Sequence, residues 1–440
     1  MKKKIVVVLD IAGLSPALLE KRKNLPNINR LREEGTYRKM TPTFPAVTCS
    51  VQASLLSGKP PADHGIVGNG YFNRVTMKPE FWRQENALIR GPRISDIMRE
   101  RDANAKVGVL FWQNSKYIDA DIVISPSPLH TDSGMIEWCY SKPTGMYEGL
   151  AEELGEFHLK DYWGPLAGAG SSDWITNASL LVLKRQLPDM LLVYIPHLDY
   201  VCQRVDPNSN DLESELSFID GIVGKFVNFR EEYGRDSMVL FVVSEYGLVP
   251  VNRTIYPNIL LRKHGLLRVR EIAGCEYIDF EQSDAFAVVD HQVAHIYCKK
   301  NMIERTRDIL NSVENISSVL DREKQRELEI HHNRSGELIA LADRDSWFAY
   351  YYWLDEKRAP FYADTVDIHN KPGYDPCELF IDLDTKRIPI KPELIKGSHG
   401  LPANTNEQMA VMICSDDGLD DYAPKSFDAT QFLGMLYRVI

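Results

Sequence analysis

Residues 1–16 read MKKKIVVVLDIAGLSP, in which the apolar run Ile5–Leu9 ends at the carboxylate of Asp10. A short β-branched run of this kind is typical of a strand that is buried on both faces of a parallel sheet. It is too short for the apolar segment of a signal peptide or for a membrane-spanning helix. We therefore expect a buried first strand, and similar runs occur at Lys106–Phe111, Met190–Ile195 and Met238–Val243.

Helical patterns alternate with these strands along the first part of the chain. Apolar residues recur at helical spacing in five segments: Asn27–Glu34, Val51–Ser57, Ile94–Arg101, Trp174–Gln186 and Leu212–Tyr233. Such alternation predicts an α/β fold, with a doubly wound, mostly parallel sheet that is flanked by helices on both faces.

The pattern changes after Pro250. Three short strands and one helix follow, at Phe286–Asp290, Ala294–Cys298, Glu337–Ala342 and Met302–Ser312. They predict a smaller α+β lobe with a loop-rich aromatic segment at its end. We place this lobe at residues 251–395, and we expect residues 1–250 together with 396–440 to form the catalytic core.

The composition limits the classes of partner. The 440 residues contain 51 Lys and Arg against 62 Asp and Glu, which gives a formal net charge of −11. This balance argues against a nucleic-acid surface, because such surfaces need basic side chains that displace counterions. The seven cysteines are scattered and never form a Cys-x-x-Cys pair. Scattered thiols are typical of a reducing compartment, so we expect a cytoplasmic protein without a membrane partner.

Three carboxylates follow predicted strands: Asp10, Asp199 and Glu245. Each residue taken alone is a helix cap, a turn residue or a metal ligand, and its type does not decide between these roles. Ligand sites in open α/β sheets lie at the carboxyl ends of the strands. The common position of the three carboxylates therefore predicts a site at this edge of the sheet.

Thr48 stands at the predicted start of a helix in the segment FPAVTCSVQASLLSG, residues 44–58. In one interpretation its hydroxyl is an N-cap that accepts a backbone N–H. In the other, the hydroxyl faces an anion that is bound at the helix N-terminus. Coordination to a metal ion is one means of turning such an alcohol into a nucleophile.

These segments resemble a known superfamily. Asp10, the FPAVT motif, SLLSGKPPADHGIVGN at 54–69 and GSHG at 397–400 are similar to the alkaline phosphatase superfamily, and especially to its type I phosphodiesterase/nucleotide pyrophosphatase branch. The resemblance implies an alkaline phosphatase-like fold and makes Thr48 both the nucleophile and a metal ligand. It also implies that Asn69 hydrogen bonds a phosphoryl oxygen.

The resemblance further implies two zinc ions, with Asp10, Thr48, Asp199, Glu245 and His399 among their ligands. Two histidines of the family pattern are absent, because Gln203 and Tyr246 stand at their positions. Zinc favours nitrogen and sulfur ligands, whereas oxygen-rich sites suit manganese or another harder metal. Three explanations remain open: a harder or single metal ion, histidines recruited from elsewhere, or loss of metal and catalysis.

Two segments offer replacement ligands, in addition to Gln203 and Tyr246 themselves. If ligands are recruited from elsewhere, the better candidates are Asp367 and His369 in the loop-like segment TVDIHNKPGYDP, residues 365–376. The segment VVDHQVAH, residues 288–295, offers Asp290, His291 and His295. We interpret His295 there as a hydrogen-bonded strand residue rather than a ligand.

Together these features predict a metal-dependent hydrolase of phosphodiester or pyrophosphate bonds with Thr48 as its nucleophile. The expected cofactor is a divalent metal, zinc at two sites, with manganese as the alternative. The expected partner is a small anionic substrate that contains phosphate. Two other hypotheses stay open: a phosphonate hydrolase or phosphomonoesterase on the same scaffold, and a non-catalytic protein that binds a metal or a nucleotide.

Overall fold

The computed structural model describes residues 3–22, 24–131, 134–419 and 424–440. In these ranges the strands are β1 (Ile5–Ile11), β2 (Thr36–Thr41), β3 (Gly70–Asn73), β4 (Lys78–Phe81), β5 (Val107–Leu110), β6 (Ile122–Pro126), β7 (Leu129–Thr131), β8 (Gly134–Ile136), β9 (Cys139–Lys142), β10 (Met190–Ile195), β11 (Met238–Val243), β12 (Val249–Pro250), β13 (Arg253–Ile255), β14 (Val269–Ile272), β15 (Cys275–Ile278), β16 (Ala285–Asp290), β17 (Val293–Cys298), β18 (Ile316–Leu320), β19 (Leu338–Ala342), β20 (Ser346–Phe348), β21 (Gly397–Ser398), β22 (Ala410–Cys414) and β23 (Ser426–Asp428).

The α-helices of the same ranges are α1 (Pro16–Lys21), α2 (Pro26–Glu34), α3 (Thr48–Ser57), α4 (Pro61–His64), α5 (Ile94–Arg101), α6 (Met146–Leu154), α7 (Leu159–Tyr162), α8 (Ala169–Gln186), α9 (His197–Arg204), α10 (Glu213–Tyr233), α11 (Pro257–Lys263), α12 (Ile303–Asn311), α13 (Arg322–Glu327) and α14 (Phe432–Val439). None of them is both long and apolar enough to span a membrane.

A large sheet forms the centre of the described structure, with nine strands in the order β23-β2-β22-β11-β1-β10-β5-β6-β9. Its middle strands β11, β1, β10, β5 and β6 run in parallel. Every residue of β1, β10 and β11 is buried, as their uninterrupted apolar runs predict. The antiparallel strand β22 lies between β2 and β11, a position that its sequence did not indicate.

Helices cover both faces of this sheet. One apolar core contains the inner faces of α2, α8 and α10, and a second core, on the opposite face, contains α3, α5 and α14. The observed bounds of the five predicted helices differ from the predicted ones by five residues or fewer at either end. Burial of both sheet faces explains why the strands lack an alternating polar pattern.

A four-stranded antiparallel sheet, in the order β16-β17-β19-β18, lies in the part of the chain between residues 285 and 342. The aromatic residues at 347–353 pack into its own apolar core. The short pair β12 and β21 then returns the chain to the large sheet. This return brings residue 399 next to the carboxyl ends of the parallel strands, where the site forms.

Candidate active site

Three neighbouring parallel strands bring the carboxylates together. β1 lies between β10 and β11 in the large sheet. Asp10 is the penultimate residue of β1, Glu245 follows β11, and Asp199 lies in the first turn of α9, directly after β10. All three are at most 5% exposed. The strand ends therefore place three buried carboxylates at one edge, as the sequence pattern predicts.

Thr48 is the first residue of α3, and its hydroxyl lies within the same buried region. Val47 is the N-cap residue and makes no side-chain capping bond. The Thr48 hydroxyl oxygen lies 2.9 Å from the hydroxyl of Tyr246. The structure therefore shows no capping role for Thr48, and the first turn of α3 directs its N–H groups and positive partial charge toward the site.

Gln52 lies one helical turn after Thr48, on the same face of α3. Its Nε2 donates to Asp10 Oδ2 over 2.9 Å and to Glu245 Oε1 over 2.7 Å, so one amide group joins two carboxylates. The backbone N–H of Gln113 donates to Gln52 Oε1 over 2.7 Å. Since this donor needs an oxygen acceptor, the amide nitrogen is the end that faces the carboxylates.

Asp199 is held by the glutamine that stands at a histidine position of the family pattern. Gln203 Nε2 donates to Asp199 Oδ2 over 2.6 Å, and the Tyr374 hydroxyl donates to Gln203 Oε1 over 2.9 Å. The other oxygen, Asp199 Oδ1, lies 3.5 Å from His399 Nε2. Gln203 thus orients the carboxylate by a hydrogen bond, and one oxygen stays directed at His399.

His399 has a defined tautomer. Its Nδ1 lies 2.7 Å from the carbonyl oxygen of Ala46, which can only accept a hydrogen bond. Burial lowers the pKa of His399 well below its usual value, so the ring is neutral and its single proton is on Nδ1. Its Nε2 lone pair therefore faces Asp199 Oδ1, which lies 3.5 Å away.

Four aromatic rings are stacked across the site. Tyr246 and His399 have ring centroids 3.7 Å apart, His399 and His291 are 3.8 Å apart, and His291 and Tyr374 are 3.9 Å apart. The two tyrosines at the ends direct their hydroxyls to Thr48 and to Gln203. The stack therefore connects Thr48, the candidate nucleophile, with Gln203, which hydrogen bonds Asp199.

Asn69 is positioned by a residue of the second sheet. Asp290, at the end of β16, accepts hydrogen bonds from the Asn69 backbone N–H over 2.8 Å and from Asn69 Nδ2 over 3.1 Å. Asn69 Oδ1 in turn accepts the N–H of Cys49 over 3.0 Å. Asp290 also lies 2.8 Å from Nδ1 of His291. Residues 290 and 291 thus join the second sheet to the start of α3.

Burial determines the electrostatics of the carboxylates. It raises the pKa of Asp199 to about 7, although the hydrogen bond from Gln203 acts against it. It also raises the pKa of Asp10 and of Glu245, and the nearby charges of Asp10 and Asp199 raise that of Glu245 further. Carboxyl groups that resist ionisation in this way gain most from a nearby positive charge or donor.

The loop segment from which we expect recruited ligands lies elsewhere. Asp367 Oδ1 accepts the backbone N–H groups of His369 and Asn370, a turn within the loop itself. His369 is exposed, and its Nδ1 lies 3.2 Å from the carbonyl oxygen of Phe81. The structure therefore does not bring Asp367 and His369 into the buried cluster, where His291 is found instead.

His295 lies within β17 and is buried. Its Nε2 lies 3.0 Å from the carbonyl oxygen of Val67, and its Nδ1 accepts the N–H of Gly336 over 3.2 Å. Both ring nitrogens are thus in hydrogen bonds, as expected for a structural histidine.

The fit to a metal ion differs between the two halves of the site. Among the site residues, five buried atoms of ligand type have no hydrogen-bond partner: Asp10 Oδ1, Asp199 Oδ1, Glu245 Oε2, His291 Nε2 and His399 Nε2. Within the described ranges, however, no three His, Cys, Asp or Glu side chains come together as a metal centre. The residues do not fit the two-cation arrangement that the resemblance implies, because the amide of Gln52 binds an oxygen of both Asp10 and Glu245, whereas Asp199 Oδ1 and His399 Nε2 lie 3.5 Å apart.

The family model described as type I phosphodiesterase / nucleotide pyrophosphatase matches residues 6–375, most of the chain. The chain belongs to this family. Its members and relatives are named as hydrolytic enzymes, and the expected resemblance is confirmed.

Curated relatives are distant. An uncharacterized pyrophosphatase/phosphodiesterase of Schizosaccharomyces pombe is 23% identical over 261 residues, which are 57% of this chain and 46% of the relative. Ectonucleotide pyrophosphatase/phosphodiesterase family member 7 of Rattus norvegicus is 23% identical over 234 residues, 52% of this chain and 46% of the relative. The chain thus spans about half the length of the curated relatives it matches.

Solved structures of this family type share the fold. Phosphonoacetate hydrolase of Sinorhizobium meliloti, in complex with phosphonoformate, has a TM-score of 0.64 at 17% identity and covers 100% of this chain and 96% of its own. Human ectonucleotide pyrophosphatase / phosphodiesterase 5 has a TM-score of 0.62 at 15% identity, and the match covers 99% of this chain and 94% of the human chain. These likenesses confirm the predicted alkaline phosphatase-like α/β fold.

Two residues of the site, Gln52 and Tyr374, were not predicted. Gln52 had one usable signal, since it follows Thr48 by four residues in a predicted helix and so shares its face. Tyr374 had none, because only the tertiary fold brings its loop against α9. Their hydrogen bonds decide how the carboxylates Asp10, Glu245 and Asp199 are held.

Proposed function

We propose that this chain hydrolyses a phosphodiester or pyrophosphate bond of a small anionic substrate, with Thr48 as the nucleophile. The observation that carries the proposal is the position of the Thr48 hydroxyl, in the first turn of α3 and 2.9 Å from the hydroxyl of Tyr246, the residue next to Glu245. The helix start favours the negative charge of a phosphoryl group. Membership of a family that is named for both reactions supports the choice of substrate bond.

A single divalent cation, zinc or manganese, fits the half of the site at Asp199 and His399. Two ligand atoms about 2.1 Å from a tetrahedral ion are about 3.4 Å apart. The separation of Asp199 Oδ1 and His399 Nε2 is 3.5 Å. A cation held by these two residues alone would be bound loosely, and oxygens of the substrate would complete its coordination. When bound, the ion neutralises phosphate charge and lowers the pKa of a coordinated hydroxyl.

The side chains of the site position the reacting groups. Tyr246 fixes the direction of the Thr48 hydroxyl through their 2.9 Å contact. Asn69 Nδ2 uses one N–H on Asp290 and keeps a second for a phosphoryl oxygen. Since Asp290 and the N–H of Cys49 hold both ends of this amide, Asn69 is prepared for the transition state before substrate binds.

The proposal is tested by substituting Thr48→Ala and measuring hydrolysis of bis-p-nitrophenyl phosphate with added zinc or manganese. We expect a loss of at least about 10³-fold in kcat, because removal of a nucleophile abolishes the covalent route. Ser57→Ala is the matched control, since Ser57 is a buried hydroxyl residue of the same helix whose hydroxyl hydrogen bonds only backbone groups, the carbonyl of Ala53 and the N–H of Lys59. We expect it to retain activity within about twofold.

Full activity of Thr48→Ala would contradict the proposed mechanism. A monoester and phosphonoacetate, assayed in parallel, decide between the proposed bond types and the alternative hydrolases. If the wild-type protein cleaves none of these compounds with either metal, the chain is a non-catalytic member of its family.

A further inference from the structure

Gln52 occupies an unusual position, because its amide group lies between two buried carboxylates. We infer that the side-chain amide of Gln52 takes the place of a cation between Asp10 and Glu245, so that this half of the site binds no metal ion. The inference concerns cation binding alone and holds whether or not Thr48 is the nucleophile.

The first argument is the point at which the two carboxylates converge. Asp10 Oδ2 and Glu245 Oε1 both accept hydrogen bonds from Gln52 Nε2, at 2.9 Å and 2.7 Å. An ion that bridges two carboxylates requires an oxygen of each to point at one place. Here that place is filled by an –NH₂ group, whose two hydrogens supply partial positive charge to the two oxygens.

The second argument is that the amide cannot move aside easily. Gln52 is fully buried on α3 and its Oε1 is held by the backbone N–H of Gln113 at 2.7 Å. Entry of a cation would break three hydrogen bonds of one side chain, and each buried group left without a partner costs about 1–3 kcal/mol. The hydrogens of the amide would also face the ion and repel it.

The third argument is the contrast between the two halves of the site. At Asp10 and Glu245 a single amide group occupies one oxygen of both carboxylates. At Asp199, by contrast, a glutamine binds one oxygen and leaves the other facing an imidazole nitrogen. The two halves of the site therefore differ in their capacity for a cation.

The direct test uses the wild-type protein. Crystals soaked with Zn²⁺ or Mn²⁺ are examined by anomalous diffraction. We expect no peak within coordination distance of both Asp10 and Glu245, while a peak at Asp199 and His399 is compatible with the inference. A peak that both Asp10 and Glu245 coordinate would overturn it.

The second test removes the amide. Gln52→Ala is dialysed with Zn²⁺, and bound metal is counted by mass spectrometry beside the wild type. We expect one additional equivalent per chain in Gln52→Ala. Gln113→Ala is the matched control, because its buried side-chain amide bonds Tyr162 and Gln84 and no carboxylate, while its backbone N–H is kept. We expect wild-type stoichiometry there.

A Gln52→Ala protein that melts cooperatively and binds no additional metal would contradict the inference. If that variant does not fold, the anomalous diffraction of the wild type still decides the question.

Discussion

The hydroxyl of Tyr246 lies within hydrogen-bond distance of the hydroxyl of the candidate nucleophile, and its removal tests a single contact. Tyr246→Phe keeps the ring that stacks 3.7 Å from His399 and deletes the oxygen that lies 2.9 Å from Thr48. We expect kcat on a diester substrate to fall about tenfold with KM within about twofold, because Thr48 loses its fixed direction while substrate contacts remain. Steady-state kinetics measure both constants.

Tyr374→Phe is the control at the other end of the ring stack. It deletes a hydroxyl that donates to Gln203 Oε1 over 2.9 Å, with the same change in volume. We expect each variant to lose about 1–3 kcal/mol of stability, since a buried polar group loses its partner. If both variants lowered kcat equally, the Tyr246 hydroxyl would have no special role at Thr48.

At the scale of an element, the loop that contains Tyr374 is held by a buried lysine. Lys371 is 1% exposed, and its Nζ contacts Asp375 Oδ2 and Glu378 Oε1, each at 2.7 Å. We expect Lys371→Met to lower the free energy of unfolding by about 3–5 kcal/mol, because it leaves two buried carboxylates without their cation. Urea unfolding measures the change.

Lys357→Met is the control for this change, since Lys357 is exposed. A surface substitution of this kind changes stability by less than about 0.5 kcal/mol. Equal effects of the two substitutions would show that the ion pairs of Lys371 do not stabilise the loop.

The elements that the sequence predicts best are those whose burial is uniform. β10 and β11 have their predicted bounds, because a strand covered on both faces must be apolar throughout and this pattern is visible locally. The antiparallel strand β22 was not predicted, since its neighbours β2 and β11 come from distant parts of the chain. Strand order is a property of tertiary packing, which local periodicity does not encode.

At the scale of the whole molecule, the candidate site contains residues from both sheets. This origin explains which of the site residues could be predicted from the sequence. Asp10 and Thr48 lie in motifs that identify them directly. His291 follows β16 of the second sheet, and only the tertiary fold places its ring beside that of His399. Asp367 and His369 were predicted as candidate ligands because their segment has the composition of a loop. A single sequence indicates where a loop occurs, but it does not indicate whether that loop packs against the site.

Buried ionisable groups of both signs determine how acid affects the whole molecule. Burial, aided by the nearby charges of His332 and Arg334, lowers the pKa of His64 to about 3. Burial raises the pKa of Asp199 to about 7 and of Asp290 to about 6.

Between pH 6.5 and 4 the unfolded chain binds a proton at His64 that the folded chain does not, so this histidine destabilises the fold as pH falls. The two aspartates act in the opposite direction, because their folded forms hold protons that the unfolded chain releases. The pH dependence of the free energy of unfolding therefore contains contributions of both signs. Comparison of the wild type with a variant that lacks one of these groups isolates the contribution of that group.

We expect His64→Asn to remove about 1.4 kcal/mol per pH unit of acid destabilisation between pH 6.5 and 4. Asparagine keeps an acceptor for the N–H of Ile66, which His64 Nδ1 accepts over 3.0 Å, and it has no proton to gain in this range. The measurement is urea unfolding of both proteins from pH 7 to pH 5, where the stability difference between them should change by about 2 kcal/mol in favour of the variant. His158→Asn is the control for the substitution itself, since His158 is exposed. Parallel pH slopes for the wild type and His64→Asn would show that the buried imidazole ring gains its proton in the folded state as readily as in the unfolded chain.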